Sequence, residues 1–446
     1  MTGPRPHLLY VAWGFPPCRG GGVYRALATA NAFIVAGWDV TVITAPREFF
    51  LEVTGADIAL EGRIDPRIKI VRVPFSRPAL ETDRTKFSVL RRALPRVWWR
   101  YRKLADQVPF PEPGYGPWRA GILAAAEEVN DKHGVDLVLV TANPSVSFAV
   151  AGRLFRRFGI PYVLDYRDAW SLDVFSGRRI HGARSRVGRL ERRLIARASE
   201  IWFVNEPIRS WHRGVYSEAA DRMYVVANGW DDRPLPQPPD LAKPPLVFGY
   251  LGTISRQVPI TNLLAGWRAA RAADQLLADA QLELRGYLGF YGSADPGLAA
   301  ELAAAVADGV SFGGPVAKAE VGQCYGQWDV LLLVLGTGRY VTSGKVFEYL
   351  ATGLPVVSVH DPGNAASEVL ADYPRWYPSA SLGEAEIASA LSAAAEGACR
   401  ADSGPIEEAW AAAERFQRQL QLQPRIAILS KVVARGLGNP PREVVL

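Results

Sequence analysis

The sequence predicts an α/β protein made of two Rossmann-like, doubly wound parallel-sheet domains. A strand, a glycine-containing loop, a helix and a second strand follow one another twice, first from Leu8 and again from Leu246. The strand segments are continuous apolar runs, which is typical of parallel strands buried on both faces. A proline-rich stretch, 233–239, separates the two halves and indicates a stiff linker. At 446 residues the chain also exceeds one ordinary hydrophobic core.

The first half begins with a predicted strand over 8–13, followed by Gly14 and by Gly20, Gly21 and Gly22. A helix is predicted over 25–35 and a second strand over 40–43, so the unit implies a right-handed parallel crossover. Two further strands are predicted over 135–140 and 161–165.

The second half repeats this order. A strand is predicted over 246–251, a loop at Gly252 and Thr253, and a helix over 260–270. Further strands are predicted over 282–284, 330–335 and 356–359, and C-terminal helices over 406–420 and 425–433. We therefore expect domains over 1–235 and 236–415, with a C-terminal helical segment over 416–446.

The composition favours a soluble globular protein, because 49% of the residues are hydrophobic and 22% are charged. Three widely spaced cysteines argue against a disulfide framework, and no Cys or His cluster has metal-ligand spacing. The longest aliphatic run, 330–335, is too short to span a bilayer, and the N-terminus lacks a signal-peptide pattern. We predict a cytoplasmic protein without a metal or cofactor.

Residues 342–357 predict an anion-binding loop, a short helix and a buried strand. Ser343 and Gly344 would place backbone N–H groups at the helix start, where a phosphate is favoured, and Lys345 adds a positive charge. Glu348 follows one turn later, where a carboxylate can accept the two hydroxyls of a ribose. The alternative is an ordinary capped helix. A P-loop is excluded, because Val346 stands where the magnesium-binding hydroxyl would be.

Residues 84–103 contain eight basic residues and no acid, with apolar residues at helical spacing. This pattern predicts an amphipathic basic surface, which Pro95 divides into two short helices. Two interpretations remain open: peripheral contact with an anionic membrane, or a helix packed on the N-terminal domain with solvated charges. Nucleic-acid binding is not expected, since no recognition motif accompanies the charge.

Arg167 and Asp168 follow the strand predicted over 161–165. A carboxylate there can position an acceptor hydroxyl or stabilise charge at an anomeric carbon, whereas the alternative is an ion pair that caps a helix. Asn143, after the strand over 135–140, is a further candidate for sugar or acceptor contact.

Five segments together resemble the GT-B glycosyltransferases, in particular the large retaining family. They are 14–17 with 20–22 and Arg25, 161–170, 228–231, 249–252, and 344–357. The resemblance implies two domains facing a cleft, a nucleotide-sugar donor on the C-terminal domain and an acceptor on the N-terminal one. It also implies that the C-terminal helix crosses back to the N-terminal domain.

The resemblance gives each position a role. It implies retaining hexosyl transfer without a metal. Asp168 and Arg167 would be catalytic, and Arg25, Asn143 and Asp168 would contact the acceptor. The donor would be bound by nine residues: Gly21, Gly22, Gly252, Thr253, Arg256, Ser343, Gly344, Lys345 and Glu348.

Two positions depart from the family pattern. Thr261 replaces a lysine and Tyr340 replaces an acid, so the donor sugar stays open. The acceptor also stays open among a glycan, a lipid-linked sugar and a small secondary metabolite. A sugar-nucleotide epimerase of the same fold and a non-catalytic nucleotide-sugar-binding protein are the alternative functions.

Overall fold

A computed structural model describes residues 5–237, 239–289, 296–336, 338–400 and 406–437. The chain divides into two compact units. Unit 1 comprises the described residues of Met1–Asp173, Gly177–Ala227 and Arg418–Leu446, and unit 2 those of Val174–Ser176 and Asn228–Gln417. The main divisions therefore fall after Ala227 and Gln417, where the sequence placed boundaries after 235 and 415.

Each unit contains one parallel sheet, so the predicted pair of doubly wound parallel-sheet domains is confirmed. The seven strands of unit 1 are ordered β3-β2-β1-β4-β5-β6-β7, and the six of unit 2 are ordered β10-β9-β8-β11-β12-β13. The strands are β1 His7–Val11, β2 Asp39–Thr44, β3 Lys69–Arg72, β4 Leu137–Thr141, β5 Tyr162–Tyr166, β6 Glu200–Phe203, β7 Met223–Val225, β8 Val247–Leu251, β9 Gln281–Arg285, β10 Val310–Gly314, β11 Val330–Val334, β12 Val356–Val359 and β13 Trp376–Pro378.

Helices lie between the strands and after the last one. They are α1 Gly22–Val35, α2 Arg47–Phe49, α3 Val89–Ala93, α4 Pro95–Gln107, α5 Trp118–His133, α6 Phe148–Phe158, α7 Arg186–Arg197, α8 Glu206–Val215, α9 Ile260–Ala273, α10 Pro296–Ala304, α11 Val321–Tyr325, α12 Gly344–Leu350, α13 Ala365–Leu370, α14 Glu384–Cys399, α15 Ile406–Glu414 and α16 Arg418–Leu437.

Pro95 divides the basic segment as predicted. Helix α3 ends at Ala93 and α4 begins at Pro95. Pro95 is at the first turn of α4, where its missing N–H leaves no intrahelical hydrogen bond unmade. The segment therefore forms two separate helices.

The last helix belongs to unit 1. Four apolar residues of α16 are buried in the same core cluster as Phe33 of α1: Leu422, Ile426, Leu429 and Val433. Trp38 also donates from Nε1 to Ser430 Oγ at 3.2 Å, and Arg425 forms an ion pair with Glu200 at 3.2 Å. Helix α16 thus covers one face of the unit 1 sheet.

The predicted C-terminal helix boundaries were wrong. The break lies at residues 415–417 and not before Arg425, because the amides of Phe416 and Gln417 turn back to Ala413 and Glu414. Pro424 lies inside α16. The proline therefore did not end the helix, although its missing N–H makes that the usual outcome.

The order of each sheet reverses at one point. In unit 1 the neighbours β1 and β4 continue to opposite sides, and in unit 2 the neighbours β8 and β11 do so. Loops at the carboxyl ends of such a strand pair diverge and leave a crevice where α/β sheets bind ligands. The residues after β1, β4, β8 and β11 are therefore where a site is expected.

Among the residues that the structure describes, no helix is both long enough and apolar enough to cross a membrane.

Candidate functional site

The site in unit 2 is built on glycines at the carboxyl ends of β8 and β9. The Gly252 amide donates to Arg285 O at 2.8 Å. A Cβ on Gly286, whose φ is +133°, would lie 1.8 Å from Gly252 O. A Cβ on Gly252 would lie 2.0 Å from Lys345 Nζ. Gly252 therefore leaves room for the lysine ammonium, which a side chain at this position would displace.

Lys345 brings a positive charge to this edge. Its Nζ lies 4.9 Å from the centre of the Tyr250 ring, and the Tyr250 hydroxyl is fixed by donating to Thr253 O at 3.0 Å. Burial lowers the pKa of Lys345 to about 8, and the nearby Glu348 carboxylate opposes that shift. A desolvated ammonium of this kind gains most from an incoming anion.

Ser343 caps the N-terminus of α12. It has an extended backbone, and its Oγ accepts the Lys345 N–H at 3.4 Å. The sequence predicted free amides at Ser343 and Gly344, and this hydroxyl engages the amide of the next residue, Lys345. The hydrogen bond is long, so the amide is held weakly.

Glu348 is held by two neighbours that sequence reasoning missed. Lys318 Nζ lies 2.5 Å from Oε1, and the buried Tyr325 hydroxyl donates to Oε2 at 3.2 Å. A carboxylate has about four lone-pair positions, so one on each oxygen stays available. The two contacts thus fix the carboxylate in an orientation that can accept two hydroxyls. Lys318 and Tyr325 lie in 315–329, which has no motif that could have revealed them.

The other positions of unit 2 that the sequence singled out also follow strands at this edge of the sheet. Arg256 is exposed in the loop between β8 and α9, and Tyr340 is half-buried in the loop before α12. Thr261, at the position of the family lysine, donates from Oγ1 to Glu301 Oε2 at 3.0 Å. Thr261 therefore supplies no cation here, whereas Lys345 brings a half-buried ammonium to this edge.

A polar cluster occupies the carboxyl edge of unit 1. Asp168 Oδ2 accepts Arg167 Nη2 at 2.5 Å and Asn143 Nδ2 at 2.6 Å. A Cβ on Gly22 would lie 2.0 Å from Arg167 Nη1, so α1 begins against the guanidinium. The structure therefore brings Arg167, Asp168, Asn143 and Gly22 together, with Gly21 immediately before α1. No helix begins within ten residues after Asp168, which removes the alternative of a helix cap.

Arg25 is not part of that exposed cluster. It is buried, it forms an ion pair with the buried Asp165 at 2.6 Å, and its Nη1 donates to Val226 O at 2.6 Å. The ion pair raises the pKa of Arg25, against the effect of its burial. Arg25 therefore ties α1 to β5 and to the end of β7, and the structure does not place it where an acceptor would be.

Glu112 is a further titratable group at the edge of unit 1. Its two carboxylate oxygens accept the amides of Ser145 at 2.9 Å and Val146 at 2.7 Å, just after β4. Burial raises its pKa to about 7, although these amides and Arg77 favour the ionised form. Sequence reasoning missed Glu112, since a lone Glu between prolines has no recognisable spacing.

The two edges differ in chemistry. The edge of unit 2 offers a desolvated ammonium, a helix N-terminus and a fixed carboxylate, which suit a diphosphate and a ribose. The edge of unit 1 offers a half-exposed carboxylate beside a guanidinium and an amide, which suit hydroxyl groups. Among the described residues, no three His, Cys, Asp or Glu side chains cluster as metal ligands.

Comparison with known proteins gives one family match. Residues 20–229 match the model of the glycosyl transferase 4-like domain. The match covers just under half of the chain, so the chain is similar to these glycosyltransferases over that part. A search of curated protein sequences finds no match.

Solved structures of this fold align over nearly the whole length. A glycosyltransferase from Rickettsia africae has a TM-score of 0.62 at 12% identity, covering 96% of this chain and 99% of that one. HepE from Anabaena in complex with UDP has a TM-score of 0.59 at 15% identity, covering 97% and 99%. Sucrose-phosphate synthase from Thermosynechococcus elongatus has a TM-score of 0.58 at 16% identity, also covering 97% and 99%. The predicted GT-B fold is thus confirmed and the family match supports the resemblance to glycosyltransferases, whereas the residue roles stay predictions.

Proposed function

We propose that this protein is a GT-B glycosyltransferase that transfers a hexosyl group from a nucleoside-diphosphate sugar to an acceptor hydroxyl, with retention and without a metal ion. The observation that carries the proposal is the constellation of Lys345 and Glu348 on one helical turn of α12. The ammonium, packed at Gly252, suits a diphosphate, and the oriented carboxylate suits a ribose.

Unit 2 would bind the donor. Glu348 would accept both ribose hydroxyls on the lone pairs that Lys318 and Tyr325 leave. Lys345 and the amides at Ser343 and Gly344 would hold the diphosphate. Thr253 and Arg256 follow Gly252 in the loop that borders the same edge. HepE of the same fold is described in complex with UDP and with UDP-glucose, so uridine nucleotides are the first probes.

The reaction would proceed on one face of the sugar. The bond from the anomeric carbon to the phosphate oxygen breaks, and the acceptor oxygen bonds from the side that the leaving group vacates. The leaving phosphate oxygen takes the acceptor proton, so no dedicated base is needed. Lys345 would stabilise the charge that develops on the diphosphate.

Unit 1 would bind the acceptor. Asp168, oriented by Arg167 and Asn143, would accept a hydrogen bond from an acceptor hydroxyl. A cavity of about 710 Å³ also lies beyond β2 and β3, with aromatic and basic side chains in its lining. A glycan, a lipid-linked sugar and a small aglycone all fit this chemistry. The cytoplasmic location stays a prediction.

Titration calorimetry with UDP, GDP, ADP and dTDP tests the donor site. We expect one nucleotide to bind and Glu348→Ala to weaken it by roughly 10- to 100-fold, since two charge-assisted hydrogen bonds are lost. Glu320→Ala, an exposed acid before α11, is the matched control. Full-strength binding to the Glu348→Ala protein would refute the ribose role.

The reaction itself needs a product measurement. NMR of the product would show the donor's anomeric configuration if the transfer is retaining, and the opposite one if it is inverting. Turnover of the nucleotide sugar without any acceptor would favour the epimerase, and tight binding without turnover would favour the non-catalytic protein.

A further inference from the structure

Exposed apolar side chains are concentrated on α3, α4 and the residues beside them. Eight large hydrophobic residues within 89–108 are exposed to solvent, although the segment is short. Exposed large hydrophobic residues are otherwise scattered along the described chain. The eight are Val89, Leu90, Leu94, Val97, Trp99, Tyr101, Leu104 and Val108.

Four of these residues form a continuous stripe along α4 and its C-cap residue, Val108. Val97, Tyr101, Leu104 and Val108 are spaced by four, three and four residues, so they lie on one helical face. Their exposures are 51%, 58%, 70% and 71%. The side that packs on unit 1 is a different one, because Trp98 and Asp106 are the buried residues of α4. The apolar stripe therefore faces away from the core of unit 1.

A basic stripe runs beside the apolar one. Arg96, Arg100 and Lys103 have the same helical spacing and are all exposed. Residues 84–103 contain no acid, so no carboxylate within this segment offsets the charge. By contrast, Arg102 turns to the packed side and forms an ion pair with Asp106 at 2.5 Å. The outer surface of α4 is thus half apolar and half cationic.

The apolar stripe and the basic stripe together favour one kind of binding partner for this surface. A second copy of the chain would present the same basic stripe and would be repelled by it. An anionic bilayer offers negative charge at the headgroups and an apolar layer directly beneath them. Trp99 and Tyr101 have the amphipathic rings that favour a membrane–water interface.

We propose that α3 and α4 dock on the surface of an anionic lipid bilayer. Val97, Tyr101, Leu104 and Val108 enter the boundary of the acyl chains, while the basic stripe binds lipid phosphates. The helices lie in the plane of the surface, because the stripes run along α4. The docking goes beyond the proposed transfer, since it requires neither donor nor acceptor.

Co-sedimentation of the full chain with vesicles tests the docking without any substrate. We expect binding to vesicles of phosphatidylcholine and phosphatidylglycerol at low salt and much weaker binding to pure phosphatidylcholine. Replacing Arg96, Arg100 and Lys103 together by Gln should weaken binding on the order of 100-fold. Leu104→Glu should also abolish most of it.

Val306→Glu, at an equally exposed apolar residue of unit 2, is the matched control and should bind like the unaltered protein. Circular dichroism checks that every variant is folded. A thermal shift with nucleotide tests the donor site separately, so loss of nucleotide binding can be told apart from loss of vesicle binding. Equal binding to neutral and anionic vesicles would overturn the proposal. So would concentration-dependent self-association that Leu104→Glu removes, since this would assign the surface to a second copy.

Discussion

The lowered pKa of Lys345 predicts that the proposed nucleotide binding depends on pH. Its pKa in the free protein is lowered to about 8 by burial beside Tyr250 and Gly252. If the diphosphate requires the charged form, about nine-tenths of the protein is competent at pH 7 and about one-thirtieth at pH 9.5. We therefore expect the affinity for a nucleoside diphosphate to fall about 30-fold between these values.

Titration calorimetry at several pH values measures this loss. Binding at pH 8 should also take up protons, which buffers of different ionisation enthalpy reveal. Lys345→Met should bind weakly at every pH, and Lys345→Arg should lose the pH dependence because arginine stays charged. A wild-type affinity that is flat from pH 7 to 9.5, or a Lys345→Met protein with the same profile as wild type, would refute the reasoning.

The contribution of Lys345 to the free energy of unfolding should change with pH in the opposite direction to the nucleotide affinity. Between pH 8 and the unfolded pKa of about 10.5, the unfolded chain binds more protons at Lys345 than the folded chain does. The contribution of Lys345 to the free energy of unfolding therefore rises with pH over that interval while nucleotide affinity falls. Urea unfolding of the wild type and of Lys345→Met over this interval separates the two effects.

Three further substitutions separate binding from structural roles. Lys318→Met should weaken nucleotide binding several-fold without reducing thermal stability, since it frees the Glu348 carboxylate to reorient; unchanged calorimetric affinity would contradict this. Gly252→Ala should leave unit 1 intact yet displace the Lys345 ammonium, so its nucleotide affinity should match that of Lys345→Met; wild-type affinity would show that the lysine is not needed there. Asp165→Ala should lower the free energy of unfolding by about 3–5 kcal/mol, because Arg25 is left buried and unpaired; a change under about 1 kcal/mol in urea unfolding would show that the pair is not structural.

The strands that the sequence predicted are those with continuous apolar runs. The strand over 356–359 was predicted with its observed bounds, and β8 within one residue. Such runs are readable because central parallel strands are buried on both faces. The missed strands are β3, β6, β7, β10 and β13: four of them are the end strands of the two sheets, β6 lies beside one, and several contain charged or small residues, such as Lys69, Glu200 and Gly314. The position of these strands is determined by pairing with a neighbouring strand of the sheet, which local sequence patterns do not encode.

The site was predictable where its chemistry is local in sequence. Ser343, Lys345 and Glu348 lie within one helical turn or two, so helix geometry relates them directly. Lys318 and Tyr325 reach Glu348 only through the packing of distant segments. Arg25 shows the opposite case. Its position in a family motif suggested an acceptor contact, but its guanidinium group is buried and donates its hydrogen bonds to Asp165 within the fold.

The return of α16 to unit 1 has a consequence for how the chain acquires its structure during synthesis. Unit 2 is nearly continuous in sequence, and all its strands precede Gln417, so it can complete its core while the ribosome still holds the C-terminus. Unit 1 emerges first yet must wait, because the face around Phe33 and Trp38 is covered only when Leu422 and Ile426 have been translated. The earlier-made half is therefore the later to mature, and an incomplete chain that stops after unit 2 would carry an open apolar face that chaperones or proteases can bind.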